Sequence, residues 1–203
     1  MRMLRSILLI LTLPLMAGCL SLEQGYPDKR FYAFETARTG APRSGRSEQH
    51  LRVRSLRVSP RFEQAEFVMR EAPSRYASDF YNVFFAPPAS LITEELYSWL
   101  SQSELFGSIA GDSSFVEATH VLEGAVTDLY GDLGDEPAAV LGLQIFVIAL
   151  EDERARLVLK LDLKERVAIG ADDPEALIKG WNEALRRLLE RCEQELAEAM
   201  LDS

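Results

Sequence analysis

The chain has 203 residues, with 22 Lys and Arg against 32 Asp and Glu, and its formal net charge is −10. This length supports one ordinary domain with its own core, and 47% apolar residues are too many for a disordered chain. The acidic excess argues against nucleic acid as a partner, because a phosphate backbone requires clustered Lys and Arg. Two His and two Cys leave little material for a metal site.

Residues 1–18 have the pattern of a secretory signal peptide. Two arginines precede an apolar run at 7–16, which is far shorter than the roughly 20 residues that a spanning helix requires. Two small residues and Cys19 follow this run, and together they resemble a bacterial lipobox. We expect cleavage before Cys19 and acylation of its thiol. An ordinary signal peptide, or a membrane anchor with a chance cysteine, is the alternative.

Acylation of Cys19 predicts where the protein resides. Two or three acyl chains hold a protein at a bilayer, whereas one chain alone binds only marginally. The residue after Cys19 is Leu20 and not Asp. By resemblance to enterobacterial sorting signals, this favours export of the lipoprotein to the outer membrane. We therefore predict a Gram-negative lipoprotein on the periplasmic face of the outer membrane. Residues 19–29 would form the lipidated tether and residues 30–203 the folded domain.

The first half of the domain predicts short elements separated by irregular chain. In chain order these are a strand at 31–34, a mobile loop at 36–49, a β-like stretch with a bulge at 51–58, a hairpin with strands at 66–70 and 75–80, and a helix that begins at Pro87-Pro88 and ends before Gly107.

The second half predicts longer elements. A strand is expected at 120–130, an apolar central strand at 138–150, and an alternating strand at 157–163 that pairs antiparallel with it. Asp173 and Pro174 begin a C-terminal helix with one continuous apolar face. The order of elements predicts an α+β fold: a single domain with a mainly antiparallel sheet and two helices packed on one face.

The sequence has no motif that indicates catalysis. A nucleophile with a base, a metal site and a phosphate-binding glycine loop are all missing as recognisable patterns. His50 and His120 are isolated, and the acidic stretch after Asp128 has Tyr130 where a calcium loop needs a ligand. We expect no enzyme activity, no cofactor and no metal.

An aromatic segment ends the predicted hairpin. Phe80, Tyr81, Phe84 and Phe85 lie just before the two prolines of the first helix. They form either core beneath that helix or a surface that docks a partner or a lipid tail, and the sequence leaves this open.

These features together resemble the ABC-type transport auxiliary lipoprotein family, the PqiC-like lipoproteins of MCE lipid-transport systems. The resemblance rests on the lipobox, on Tyr32 in a short strand, on Leu51-Arg52-Val53 and Leu56-Arg57-Val58, on Phe67-Val68-Met69-Arg70 and Tyr76, on Phe85-Ala86-Pro87-Pro88, on Leu122-Glu123-Gly124, and on the long last helix.

The resemblance implies a non-catalytic accessory subunit with Cys19 as its lipidated residue. An MCE-domain protein would be its direct partner, and the permease and ATPase of an ABC transporter would be indirect partners. A homo-oligomer would suit a ring-shaped partner. A free-standing periplasmic lipid carrier and a scaffold lipoprotein of another envelope assembly machine remain the alternatives.

Overall fold

The computed structural model describes residues 28–42, 48–151, 154–170 and 173–201. The predicted signal peptide and Cys19 lie outside the described residues. In the described part of the chain the strands are β1 Arg30–Tyr32, β2 His50–Val53, β3 Arg57–Val58, β4 Glu66–Ala72, β5 Arg75–Phe84, β6 Ser108–Gly111, β7 His120–Asp132, β8 Ala138–Glu151 and β9 Arg154–Ala168, and the helices are α1 Pro88–Ser103 and α2 Pro174–Leu201.

Three long strands form the continuous part of the sheet. β8 lies between β7 and β9 and pairs antiparallel with both, and Glu151 pairs with Arg154 where the chain turns back. Their apolar alternation runs over a dozen residues, so the register is fixed by the face that must be buried. The predicted central strand and its antiparallel neighbour are confirmed.

The other edge of β7 binds three short strands one after another. β2 pairs near His120, β3 pairs at Ala125 and Val126, and β4 pairs at Gly131 and Asp132, all of them parallel to β7. β4 also forms the predicted hairpin with β5, β5 pairs with β1, and β2 pairs with β6. The parallel attachments and β6 were not predicted. β2, β3 and β6 have only two to four residues and carry no measurable period, and the pattern of β4 does not show which strand it joins.

Both helices pack on one face of the sheet. The predicted apolar face of α2, from Leu177 through Trp181 to Leu196, is buried over β8 and β9. Gly180 allows this approach, since an added Cβ would lie 2.7 Å from Cβ of Ala139. α1 packs against β6, β3 and α2. The predicted fold class, a single α+β domain, is therefore confirmed.

The opposite face of the long strands is polar. Lys160, Asp162 and Lys164 alternate along β9 and are exposed, while Leu161 and Leu163 between them are buried. Lys160 lies above the ring of Phe146 on the neighbouring strand, with Nζ 5.9 Å from the ring centroid. This face is therefore covered by long charged side chains in the described structure, as the period-2 pattern predicted.

Candidate functional site

The aromatic segment at residues 80–85 is divided between the core and the surface. Phe84 is 3% exposed, whereas Phe80 is 59% and Phe85 is 76% exposed. Tyr81 is half-buried. Phe84 is the last residue of β5 and faces the core, whereas Phe85 follows the strand and is exposed, so the two rings separate even though they are adjacent in the chain. Of the two alternatives that the sequence left open, core or surface, Phe84 therefore belongs to the core, and Phe80 and Phe85 belong to the surface.

Phe84 belongs to the core beneath the helices. Its ring stacks on Phe34 at 5.2 Å between centroids, and it lies 4.8 Å from Phe67 and 5.5 Å from Trp181. A ring enclosed in this way is not accessible to a partner or a lipid tail.

The exposed rings form a surface that we name the edge patch, consisting of Lys29, Phe31, Phe80 and Phe85. Nζ of Lys29 lies 4.1 Å from the centroid of the Phe80 ring, and the rings of Phe31 and Phe85 meet edge-to-face at 6.3 Å. Lys29 directly precedes β1, and Phe31 lies within it. The four side chains therefore form two contacting pairs at the sheet edge made by β1 and β5.

Local hydrogen bonds shape the β5 side of the edge patch. The pairing of β4 with β5 shifts register between Glu66 and Phe67. In the extra length of β5, Oδ1 of Asp79 accepts hydrogen bonds from the backbone amides of Tyr81 and Asn82. This bulge re-aims the chain at Phe80, which is a usual effect of a register shift at a sheet edge.

A buried ion pair holds the chain that follows β1. The carboxylate of Glu193 in α2 accepts hydrogen bonds from Nε and Nη2 of Arg38, at 2.8 and 2.9 Å, and from the indole of Trp99 at 2.8 Å. Pairing with Glu193 raises the pKa of Arg38. Residues 36–42 are irregular, as predicted, but Arg38 is buried between the helices rather than free in a loop. The entry of the chain into the domain is therefore fixed.

Further exposed apolar side chains lie near the start of β7, and we name these residues the distal patch: Phe115, Val116, Leu150 and Leu157, of which Phe115 is fully exposed. The amide of Leu150 donates to the carbonyl of Thr119, which joins the end of β8 to the loop before β7. β4 is parallel to β7 with Met69 beside Gly131, and β5 pairs with Glu66 and Phe67, so the edge patch lies level with about residue 128 of β7. It is therefore roughly 27 Å along that strand from His120 and the distal patch.

A polar cleft of about 630 Å³ lies between the β4–β5 turn and the β7–β8 turn. Asp132 is buried there, and it accepts hydrogen bonds from Arg70, at 2.6 Å, and from Arg166. Burial raises the pKa of Asp132, but the two guanidinium groups outweigh this and leave it lower than usual. Because both arginines already pair with Asp132 and Glu71 lines the rim, the cleft is unsuited to binding an anion. The pairs of Asp132 with Arg70 and Arg166 instead join β7 to β4 and β9.

The histidines and the second cysteine have structural surroundings. Nδ1 of His50 lies 2.8 Å from Oγ of Ser108, its register partner on the neighbouring strand. Burial lowers the pKa of His120. Cys192 is buried in the helix interface, which raises the pKa of its thiol to about 12 and keeps it protonated at neutral pH.

The fold is shared with solved structures of low sequence identity. A Xanthomonas campestris protein described as DUF330 has a TM-score of 0.72 at 14% identity, covering 85% of this chain and 98% of that one. An uncharacterised protein scores 0.67 at 16% identity, covering 83% and 99%. A hypothetical protein of Chlamydia trachomatis scores 0.51 at 10% identity, covering 73% and 98%. These likenesses show that the chain shares its α+β fold with these proteins.

The remaining comparisons gave no match. No family model matches the sequence, and no curated protein matches it significantly. Within the described ranges, no helix has the length and apolarity needed to cross a membrane. The same residues hold no cluster of three or more His, Cys, Asp or Glu that could bind a metal ion.

Proposed function

We propose that this protein is a non-catalytic lipoprotein, anchored through acylated Cys19 at the periplasmic face of the outer membrane, that serves as an accessory subunit of an ABC/MCE-type lipid-transport system. In this role it links the periplasmic conduit, an MCE-domain protein, to the outer membrane. The sequence resemblance supplies this assignment.

The observation that best supports a linking role is the placement of the two exposed surfaces. Lys29 is ten residues after Cys19 and belongs to the edge patch, whereas Phe115 of the distal patch lies beyond the far end of β7. An anchor on one side leaves the distal patch free to meet a second protein. A fully exposed phenylalanine in a polar loop is the kind of side chain that partners bury.

A crosslinking experiment tests the partner. A photoreactive amino acid replaces Phe115 in the exported chain, and a matched variant has it at Asp162, which is exposed on the polar face of β9. We expect an MCE-domain protein to crosslink from position 115 and not from position 162. Equal yields from both positions, or no envelope protein captured from position 115, would contradict the proposed docking.

The alternative of a free-standing lipid carrier is disfavoured by the filled interface between sheet and helices. Trp181, Leu185 and Leu188 of α2 are completely buried against strand residues such as Leu141 and Ile145, which are also completely buried. A carrier needs an apolar cavity large enough for acyl chains. Native mass spectrometry checks this, because a carrier would retain lipid in addition to the acyl chains of Cys19.

The non-catalytic assignment has its own test at the Ser108 and His50 pair. A serine hydroxyl beside an imidazole is the minimum that acyl transfer requires, although Nδ1 rather than Nε2 makes this contact. We expect the purified protein to turn over neither peptidoglycan nor lipid esters. Turnover that disappears in Ser108→Ala would overturn the assignment.

A further inference from the structure

We propose that the edge patch rests on the lipid bilayer itself, so that Phe31, Phe80 and Phe85 insert at the interface and Lys29 meets the lipid phosphates. This inference rests on the anchored state in the proposed function and adds the surface and the orientation with which the domain meets the membrane.

The length of the tether brings the bilayer within reach of this surface. Ten residues separate Cys19 from Lys29, and a fully extended chain covers at most about 3.6 Å per residue. An acylated Cys19 therefore lies within about 35 Å of Lys29. Along β7, the distal patch is roughly 27 Å from the level at which β5 pairs with Glu66 and Phe67 of β4. Of the two apolar surfaces, the tether thus holds the edge patch closer to the lipid.

The chemistry of the edge patch suits a lipid interface. Three rings are between 59% and 76% exposed, and they come from adjacent strands, so they can enter the boundary of the acyl chains together. Lys29 covers the Phe80 ring with its ammonium group 4.1 Å from the ring centroid. A lysine stem that lies along apolar surface with its charge at the outside is the usual arrangement at a membrane surface.

The charge of the remaining surface limits the contact to this edge. The chain carries ten more acids than bases, and an anionic bilayer would repel most of the domain. Two cationic residues lie at this edge: Lys29 just before β1 and Arg30 at its start. Arg30 also pairs with Glu175 at the start of α2. The domain would therefore stand on the β1–β5 edge, with the rest of the sheet away from the lipid.

The core of the domain is filled without the rings of Phe31 and Phe85. Tyr32 and Phe84, which alternate with Phe31 and Phe85, already fill the inner side: Tyr32 lies 5.0 Å from Phe67, and Phe84 packs on Phe34. Phe31 and Phe85 contact each other on the outside. They add little to the core, so their exposure calls for an occupant, and the bilayer is the one that the tether brings closest.

A lipid-borne quencher tests the contact. The full chain is purified from membranes with one new cysteine: Ser78→Cys, two residues from Phe80, or, as the matched control, Ser113→Cys, two residues from Phe115. Both serines are exposed, and a fluorophore reacts selectively because Cys19 is acylated and Cys192 is buried. Each labelled protein is placed in phosphatidylethanolamine–phosphatidylglycerol nanodiscs with and without nitroxide-labelled lipid.

We expect the nitroxide lipid to quench the label at position 78 and not the label at position 113. Replacing Phe31, Phe80 and Phe85 by Ser should remove the difference, and circular dichroism should show an unchanged fold. Equal fluorescence with and without nitroxide lipid at position 78 would overturn the proposal. A second outcome would also overturn the proposal: the nitroxide lipid does not quench the label at position 78, and the label is shielded only after an envelope protein is crosslinked to the domain. That result would assign the edge patch to a protein partner.

The mass of the same purified protein separates this proposal from the anchoring on which it rests. If Cys19 is acylated and position 78 is not quenched, the anchor stands and the bilayer contact is wrong. If Cys19 carries no acyl chain, the proposed anchoring fails. The same two labelled proteins with Cys19→Ser, mixed with vesicles of that composition, then decide the contact: quenching at position 78 and not at position 113 supports it, and no quenching contradicts it.

Discussion

Replacing Glu193 by Ala should strongly destabilise the domain. Glu193 is 5% exposed, and its carboxylate is hydrogen-bonded to the buried guanidinium of Arg38 and to the indole of Trp99. Removing one partner of a buried ion pair costs about 3–5 kcal/mol, because the other charge stays buried without compensation. For a domain of this size each kcal/mol corresponds to about 2–4 °C, so we expect the melting temperature to fall by roughly 6–20 °C.

The measurement is urea and thermal unfolding followed by tryptophan fluorescence, since Trp99 and Trp181 are both buried and will report the loss of the core. Glu190→Ala is the matched control on the same helix: its carboxylate is exposed and pairs only at the surface with Arg186, so the change should be within about 0.5 kcal/mol.

The double variant Arg38→Met with Glu193→Leu distinguishes a buried charge from simple lost packing. Apolar side chains of similar volume can replace a buried ion pair with little loss of stability, so the double variant should be more stable than Glu193→Ala. A loss below 1 kcal/mol in Glu193→Ala, or a double variant as unstable as the single one, would refute the reasoning.

Three further predictions follow from neighbouring features. Phe84→Ala should cost about 3–5 kcal/mol in urea unfolding, because it empties part of the core, whereas Phe85→Ala next to it should change stability little; similar losses would contradict the assignment of the two rings. Cys192 should resist iodoacetamide at pH 8 in the folded protein and react once urea unfolds it, because burial raises its pKa to about 12; modification at the rate of a free thiol would show an accessible site. The pKa of Asp132 is below its ordinary value of 3.8 in the fold, so the stability that it contributes is present above that value and is lost as the pH falls through the folded pKa. Asp132→Asn should therefore flatten the acid side of the stability profile, and the exposed Asp112→Asn should leave it unchanged.

The long elements were predictable because their signals are local. The alternation in β9, the apolar run in β8 and the apolar stripe of α2 each repeat over more than three periods, and a repeat of that length leaves few alternative registers. The hairpin of β4 and β5 was predictable from its turn, where Ser74 adopts a positive φ of 63°. These signals were enough to give the fold class.

The site was predictable only in part. The sequence indicated the aromatic segment but gave no rule for separating Phe84 from Phe85. It did not indicate Phe31, because a strand of three residues has no period that reveals its outer side. Phe115 does have a detectable signal, since a large apolar residue that follows Asp112, Ser113 and Ser114 in a turn-rich segment has no core to enter. The partner or lipid role of these residues stays a prediction.

The amino-acid sequence by itself determined the α+β class, the antiparallel ladders and the apolar face of the last helix, because hydrophobic period and turn residues act between neighbours in the chain. Only the tertiary structure decided which rings face outward and where the short parallel strands attach. It also decided that Arg38 pairs with Glu193, which is 155 residues away in the chain. Contacts of that range depend on how the helices and the sheet pack together, and no local pattern records them.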